Sequence, residues 1–243
     1  EVERAVALSE RETGPDGYRT AQLRAALASM LADAGRFDEA LPPHRAAIAV
    51  IERWVGVDSL TLVRPLNNLA LTESSAGHHA EAEARGRRAL AIAERHGSPE
   101  LRGTTARNLG VVLVNGDRRA EAIEFYDRAE QLLREGGRPA AAAAAVVQRG
   151  IARTADALAS GVPAQLAAAR ADLERGRAEV IEILGADSPD AADAAAALAD
   201  LRAGMGACGD AVRLAREAIA IYDRGELPPA QRKVAVDVLA RCR

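Results

Sequence analysis

The chain has 243 residues, 49% of them hydrophobic and 28% charged, and it carries a net charge of −3. That content is enough for a substantial core, and the abundance of Ala, Leu, Glu and Arg favours helix over sheet. Interspersed charge of so small a sum excludes the clustered positive surface that nucleic acid binding needs, and no apolar run reaches membrane-spanning length. Neither nucleic acid nor membrane is therefore expected as a partner. With aromatics at only 2%, aliphatic side chains and close alanine contacts must fill the interior. Lys233 is the sole lysine, and the arginine bias is read as codon usage of a GC-rich, actinobacterial-type genome rather than as phosphate recognition. Two cysteines, Cys208 and Cys242, are too few for a disulfide framework. A reduced, cytoplasmic location is expected, with pairing of these two thiols as the lesser alternative.

The first segment, Ala5 to Arg11, aligns with Ala89 to Arg95 two periods of 42 further on, so residues 1–15 read as the second helix of a truncated hairpin. The chain is accordingly expected to be a piece of a longer array. A recurring phrase then organises everything that follows. Leu27-Ala28 precedes Gly35-Arg36-Phe37-Asp38-Glu39-Ala40, and Leu69-Ala70 precedes Gly77-His78-His79-Ala80-Glu81-Ala82. Leu109-Gly110 precedes Asp117 to Ala122, and Leu198-Ala199 precedes Gly206 to Ala211. Each time the closing alanine lies twelve positions after the small residue of the pair. A fixed period of this length marks a repeat architecture.

After each closing alanine the helical face is spelled at i, i+4, i+7 and i+11: Ala40, His44, Ala47, Ile51; Ala82, Gly86, Ala89, Ala93; Ala122, Tyr126, Ala129, Leu133; Ala211, Ala215, Ala218, Tyr222. Small residues at these slots let two helices of a hairpin approach closely. Gly56, Gly97, Gly137, Gly185 and Gly225 each follow an apolar helix and are expected to close it in the left-handed conformation. Ser98-Pro99-Glu100 and Ser188-Pro189-Asp190 read as helix starts. The expected hairpins are 17–56, 59–97, 99–136, 139–185 and 188–225, with a final unpaired helix at 228–243. The fourth is stretched: 49 residues separate Ala122 from Ala171, against 40 from Ala171 to Ala211. The surplus is placed near Ala159 to Pro163, in the end of the first helix and its turn.

These residues resemble the tetratricopeptide repeat family, and Gly56-Val57-Asp58-Ser59, Gly185 to Pro189 and Leu66-Asn67-Asn68-Leu69-Ala70 resemble its 40–42-residue kinesin-light-chain variety. The resemblance implies an all-α fold, a right-handed α-α superhelix (solenoid) of stacked antiparallel helix hairpins. It also implies a concave face, lined by first helices, that binds an extended peptide or a partner helix. Glu73 and Arg202 depart from the family pattern where a bulky ring or aliphatic is usual, and Arg149-Gly150 replaces the Leu-small pair.

Function is then expected on a surface rather than in a catalytic pocket. The candidate groove residues are polar first-helix positions off the packing stripe: Arg24, Arg64, Asn67, Asn68, Arg107, Asn108 and Gln148, with Ser75 and Asn115 beyond them. An asparagine amide offers donor and acceptor to a peptide backbone, and an arginine forks onto a carboxylate. His44 is expected to be a packed core residue, Trp54 an interface filler, and His78-His79 part of a turn rather than a zinc site. The outline Gly204-Met205-Gly206-Ala207-Cys208-Gly209 interrupts a hairpin instead of following a strand, so it reads as the repeat turn and not a phosphate loop. A protein- or peptide-binding scaffold is the leading reading, with no cofactor and no metal. A regulatory sensor segment attached to an ATPase, transcription regulator or protease is second, and an enzyme a distant third. Self-association through apolar array ends is a further possibility.

Overall fold

A computed structural model of the protein describes residues 2–225 and 229–243. All of its regular structure is helical: α1 (Val2–Thr13), α2 (Tyr18–Asp33), α3 (Phe37–Val55), α4 (Val63–Ser75), α5 (His79–His96), α6 (Pro99–Asn115), α7 (Arg119–Glu135), α8 (Pro139–Ser160), α9 (Pro163–Leu184), α10 (Pro189–Gly204), α11 (Cys208–Arg224) and α12 (Lys233–Arg241). Short 3-10 turns precede α4 and α12. The expected start points at residues 1 and 228 lie outside the described residues. Two compact units divide the chain at 1–121 and 122–243, within the first turn of α7.

In the first unit, α2 pairs with α3 and α4 with α5, while α6 packs on both α4 and α5. The recurring phrase has a direct physical cause here. Gly35, Gly77 and Asp117 all have positive φ, at 74°, 85° and 60°. Each follows a first helix and donates its N–H three residues back, while the next residue donates five back: Arg36 to the Leu31 carbonyl at 2.9 Å, His78 to Glu73 and Arg118 to Leu113 at 2.8 Å. That pair of bonds satisfies carbonyls the helix leaves open and turns the chain sharply into the second helix. Glycine enters this backbone region without steric cost, and aspartate is among the few other residues that tolerate it. The closing alanines then lie against the first helix, and Ala40, Ala82, Ala89 and Ala93 are fully buried. At the Gly86 slot an added Cβ would already reach a methyl of Leu109 at 3.0 Å.

The end-of-hairpin glycines divide. Gly56, Gly137 and Gly185 do have positive φ. Gly97 and Gly225 do not: their φ values are −88° and −83°. Gly97 is extended and leads straight into the Ser98 cap, and what requires glycine there is space, since a Cβ would sit 2.6 Å from the Ala93 carbonyl oxygen. Ser98 and Ser188 cap α6 and α10 as their sequences suggest, each accepting from a backbone N–H at 3.3 Å.

In the second unit the stretched hairpin consists of two 22-residue helices, α8 and α9. The surplus is therefore helix on both sides of Gly161, not a protruding loop. Gly150 lets α9 come so close that an added Cβ would lie 2.7 Å from Leu173, and Gly176 does the same against Val147 at 2.7 Å. The lengthened end of α8 packs as well, because Leu158 would meet a Cβ on Gly204 at 2.5 Å. Gly204, Gly206 and Gly209 thus belong to the end of α10, the turn and the start of α11. Arg149, in place of the family's leucine, is buried and forks onto Asp172 at 2.9 and 2.6 Å, with Glu130 at 3.0 Å and Asp127 beside it. Burial alone would raise the Glu130 carboxyl, but the guanidinium of Arg175, with Arg149 and Arg134, overrides it and holds the pKa down at about 2.

The last helix corrects the cysteine expectation. Cys208 and Cys242 form a disulfide, and no free cysteine remains. Cys208 opens α11, Cys242 follows α12, and α12 packs on both α10 and α11 through fully buried Ala235 and Val238. That docking brings the two Cα atoms to 5.3 Å, inside the range a disulfide spans.

Candidate functional site

The first unit contains an open groove bounded by α2, α3 and α4. It consists of two adjoining cavities of about 390 and 320 Å³, both lined by Ser29, His44, Arg64 and Asn68. Asp33, Phe37, Thr72 and Ser75 extend one cavity, and Tyr18, Gln22 and Thr61 the other. First-helix positions supply Ser29, Arg64 and Asn68 because they lie off the Leu66, Leu69 and Ala70 stripe that is buried in the core. His44 comes instead from the second helix, at the slot occupied elsewhere by Gly86, Tyr126 and Ala215.

The sequence-derived candidates separate clearly. Arg64 is exposed in the groove and makes no ion pair or hydrogen bond among the described residues. Asn68 also lines it, with Nδ2 donating to the Ser29 hydroxyl at 3.2 Å and its carbonyl oxygen left over. Ser75 is exposed at one end. Asn108 and Arg107 are half-buried on α6, and the Asn108 amide has no partner among the described residues. Asn67 is not in the groove: it is 5% exposed and donates to Thr105 at 3.2 Å, tying α4 to α6. Arg24 is committed to α1, donating to Glu10 at 2.7 Å and to the Pro15 carbonyl at 2.8 Å. Asn115 donates to Ser74 at 3.0 Å. Gln148 is half-buried in the second unit, where its carbonyl oxygen is unpartnered.

Other singled-out residues find structural explanations. Glu73 is completely buried and receives Arg45 at 2.9 Å, so this departure from the family pattern is an α3–α4 ion pair. Trp54 is not buried filler: it is 63% exposed, donates to the Asp16 carbonyl at 3.0 Å and meets Tyr18 edge-on. Arg202 pairs with Glu174 at 3.1 Å. No cluster of three or more metal-ligating side chains occurs among the described residues, and none of their helices is long and apolar enough to cross a membrane.

His44 is packed, as its helical slot implies. It is 1% exposed, as a packed residue should be, yet neither ring nitrogen has a hydrogen-bond partner. Burial lowers its pKa to about 4, so the ring is neutral at physiological pH.

Hairpins joined by tight turns through one left-handed residue, with small residues at the inter-helix slots, are the mark of a helical repeat. Residues 23–95 match the tetratricopeptide repeat family. No curated protein sequence matches the chain significantly. Among solved structures, BtubC (BKLC) from P. vanneervenii superposes with a TM-score of 0.68 at 19% identity, covering 93% of this chain and 89% of that one. The nearly identical TPR-like repeats assigned to a kinesin light chain of Podosopora anserina give 0.64 at 18%, covering 87% and 97%. A thermophilic TPR protein of Thermus thermophilus gives 0.56 at 20%, covering 90% and 99%. The fold is thus an all-α, TPR-like solenoid, and TPR folds generally serve as protein- or peptide-binding scaffolds.

Proposed function

We propose that the chain is a non-catalytic scaffold whose first unit holds an extended peptide or partner segment along α2, α4 and α6. The observation that supports this most is Arg64. It is an exposed guanidinium in a groove, without a partner among the described residues, beside an Asn68 side-chain carbonyl that also has capacity to spare. A cation used for stability would be paired, as Arg45, Arg88 and Arg95 are in the same unit. Asn108 offers a second unspent amide at the equivalent position of the next first helix.

Arg64→Ala and Asn108→Ala test the reading, because neither change removes a hydrogen bond or ion pair among the described residues. Both variants should melt with the parent protein, within about 0.5 kcal/mol, while affinity for a captured peptide partner falls about tenfold. Unchanged affinity in both variants would remove the groove from the binding site.

A further inference from the structure

The floor of the groove has an unexplained cost. A polar ring shielded from water with both nitrogens unsatisfied is destabilising, whereas an apolar ring of similar shape would not be. The corresponding slot of α7 is filled by Tyr126 and that of α11 by alanine. Histidine at this slot stands on the wall of both cavities, which are large enough for a side chain to enter.

We infer that the His44 floor is a side-chain subsite that takes a neutral carboxamide, the Asn or Gln side chain of a bound peptide. The inference rests on the scaffold reading above and adds a specificity to it. Charge excludes the alternatives. Among the described residues the formal charges lining the cavities are Arg64 and Asp33, both exposed and opposite in sign, so the lining carries no net charge. An anion at the floor would lose its water to a neutral ring, and a cation would gain nothing in exchange. The neutral imidazole offers one donor and one acceptor. A carboxamide carries both in one plane, so it matches either nitrogen in either tautomer without a proton being moved. Ser29, Asn68, Thr72 and Gln22 line the walls with further neutral polar groups. Arg64 and Asp33 at the rim are left for residues flanking the amide. A site built from buried hydrogen-bonding groups rejects ligands lacking them, because those groups would then stay unpaired.

The test uses the full chain labelled with 15N-histidine, following the His44 nitrogens by long-range 1H–15N NMR, with His44→Phe providing the assignment. Three probes are titrated: the N-acetyl, N-methylamide derivatives of glutamine, glutamate and norleucine. The glutamine probe should move the His44 nitrogens saturably, and the His44→Phe protein should bind it about tenfold to a hundredfold more weakly. If none of the probes moves them, the subsite takes no side chain and the inference is overturned. Equal movement with glutamate or norleucine overturns it too. If a captured partner peptide binds His44→Phe as well as the parent, the subsite falls while the scaffold stands. If no peptide binds at all, the scaffold reading falls and the probe titration still decides the subsite.

Discussion

Reducing the Cys208–Cys242 disulfide should release α12 while leaving the rest of its unit folded. The perturbation is a reductant, or the Cys208→Ser and Cys242→Ser pair. The bond closes a segment of 34 residues, and loop-closure entropy for that length is worth about 4 kcal/mol. Against this, α12 has nine residues, too few to hold a helix alone, and among them only Ala235 and Val238 are fully buried. Burying one valine contributes about 2 kcal/mol, so the cross-link is at least as large as the packing it secures. Ion pairs add little, because Arg241–Asp200 and Arg232–Asp223 are solvent-exposed. Hydrogen exchange read by mass spectrometry should show amides of 233–241 exchanging roughly a hundredfold or more faster after reduction, with α8 and α9 unchanged. The first thermal transition should fall by about 8–16 °C. Equal protection of α12 in both redox states would refute the reasoning, since packing alone would then be holding the helix.

His44→Phe should raise stability and flatten its acid dependence. The folded pKa of about 4 lies below the ordinary 6.5, so the unfolded chain takes up a proton first as pH falls. Its contribution is then full above pH 6.5 and declines toward pH 4 by about 3 kcal/mol, and denaturant titrations should show the parent losing that much more stability than the variant over this range. Gly150→Ala should cost about 1–3 kcal/mol, because the new methyl would press on the Leu173 side chain and backbone. Gly86→Ala should cost much less, since the atom it meets is the end of a leucine side chain; equal losses in thermal melts would contradict the packing distances. Asp117→Gly should stabilise by about 1 kcal/mol by relieving a positive φ, and the exposed Arg119 contact it gives up should not offset that.

The all-α hairpin architecture could be read from spacing because its cause is local. Gly35, Gly77, Asp117 and Gly206 each occupy a backbone conformation that few residues accept, and the alanines that follow occupy slots with no room for more. The groove was harder to read because periodicity reports only the hairpin's own interface. Asn67 and Asn68 are adjacent and chemically identical, yet a helix turns about 100° between them, and the Leu-small stripe says nothing of the side facing the next first helix. One asparagine is consumed by α6 and the other opens on the groove. His44 did carry a signal, a polar ring where the equivalent slots hold Gly86, Tyr126 and Ala215. Its meaning needed the cavity. The disulfide stayed the lesser alternative in the sequence because the approach of Cys242 to Cys208 depends on how α12 docks.

The amide–hydroxyl bonds between first helices have a mechanical consequence. Asn68 to Ser29 and Asn67 to Thr105 join α2 to α4 and α4 to α6 at separations of 39 and 38 residues. Tension applied along α2, α4 and α6 would load these ties in series, each worth about 1 kcal/mol. Each of these ties can break and re-form without a helix unfolding, because none of them belongs to a helix's own backbone ladder.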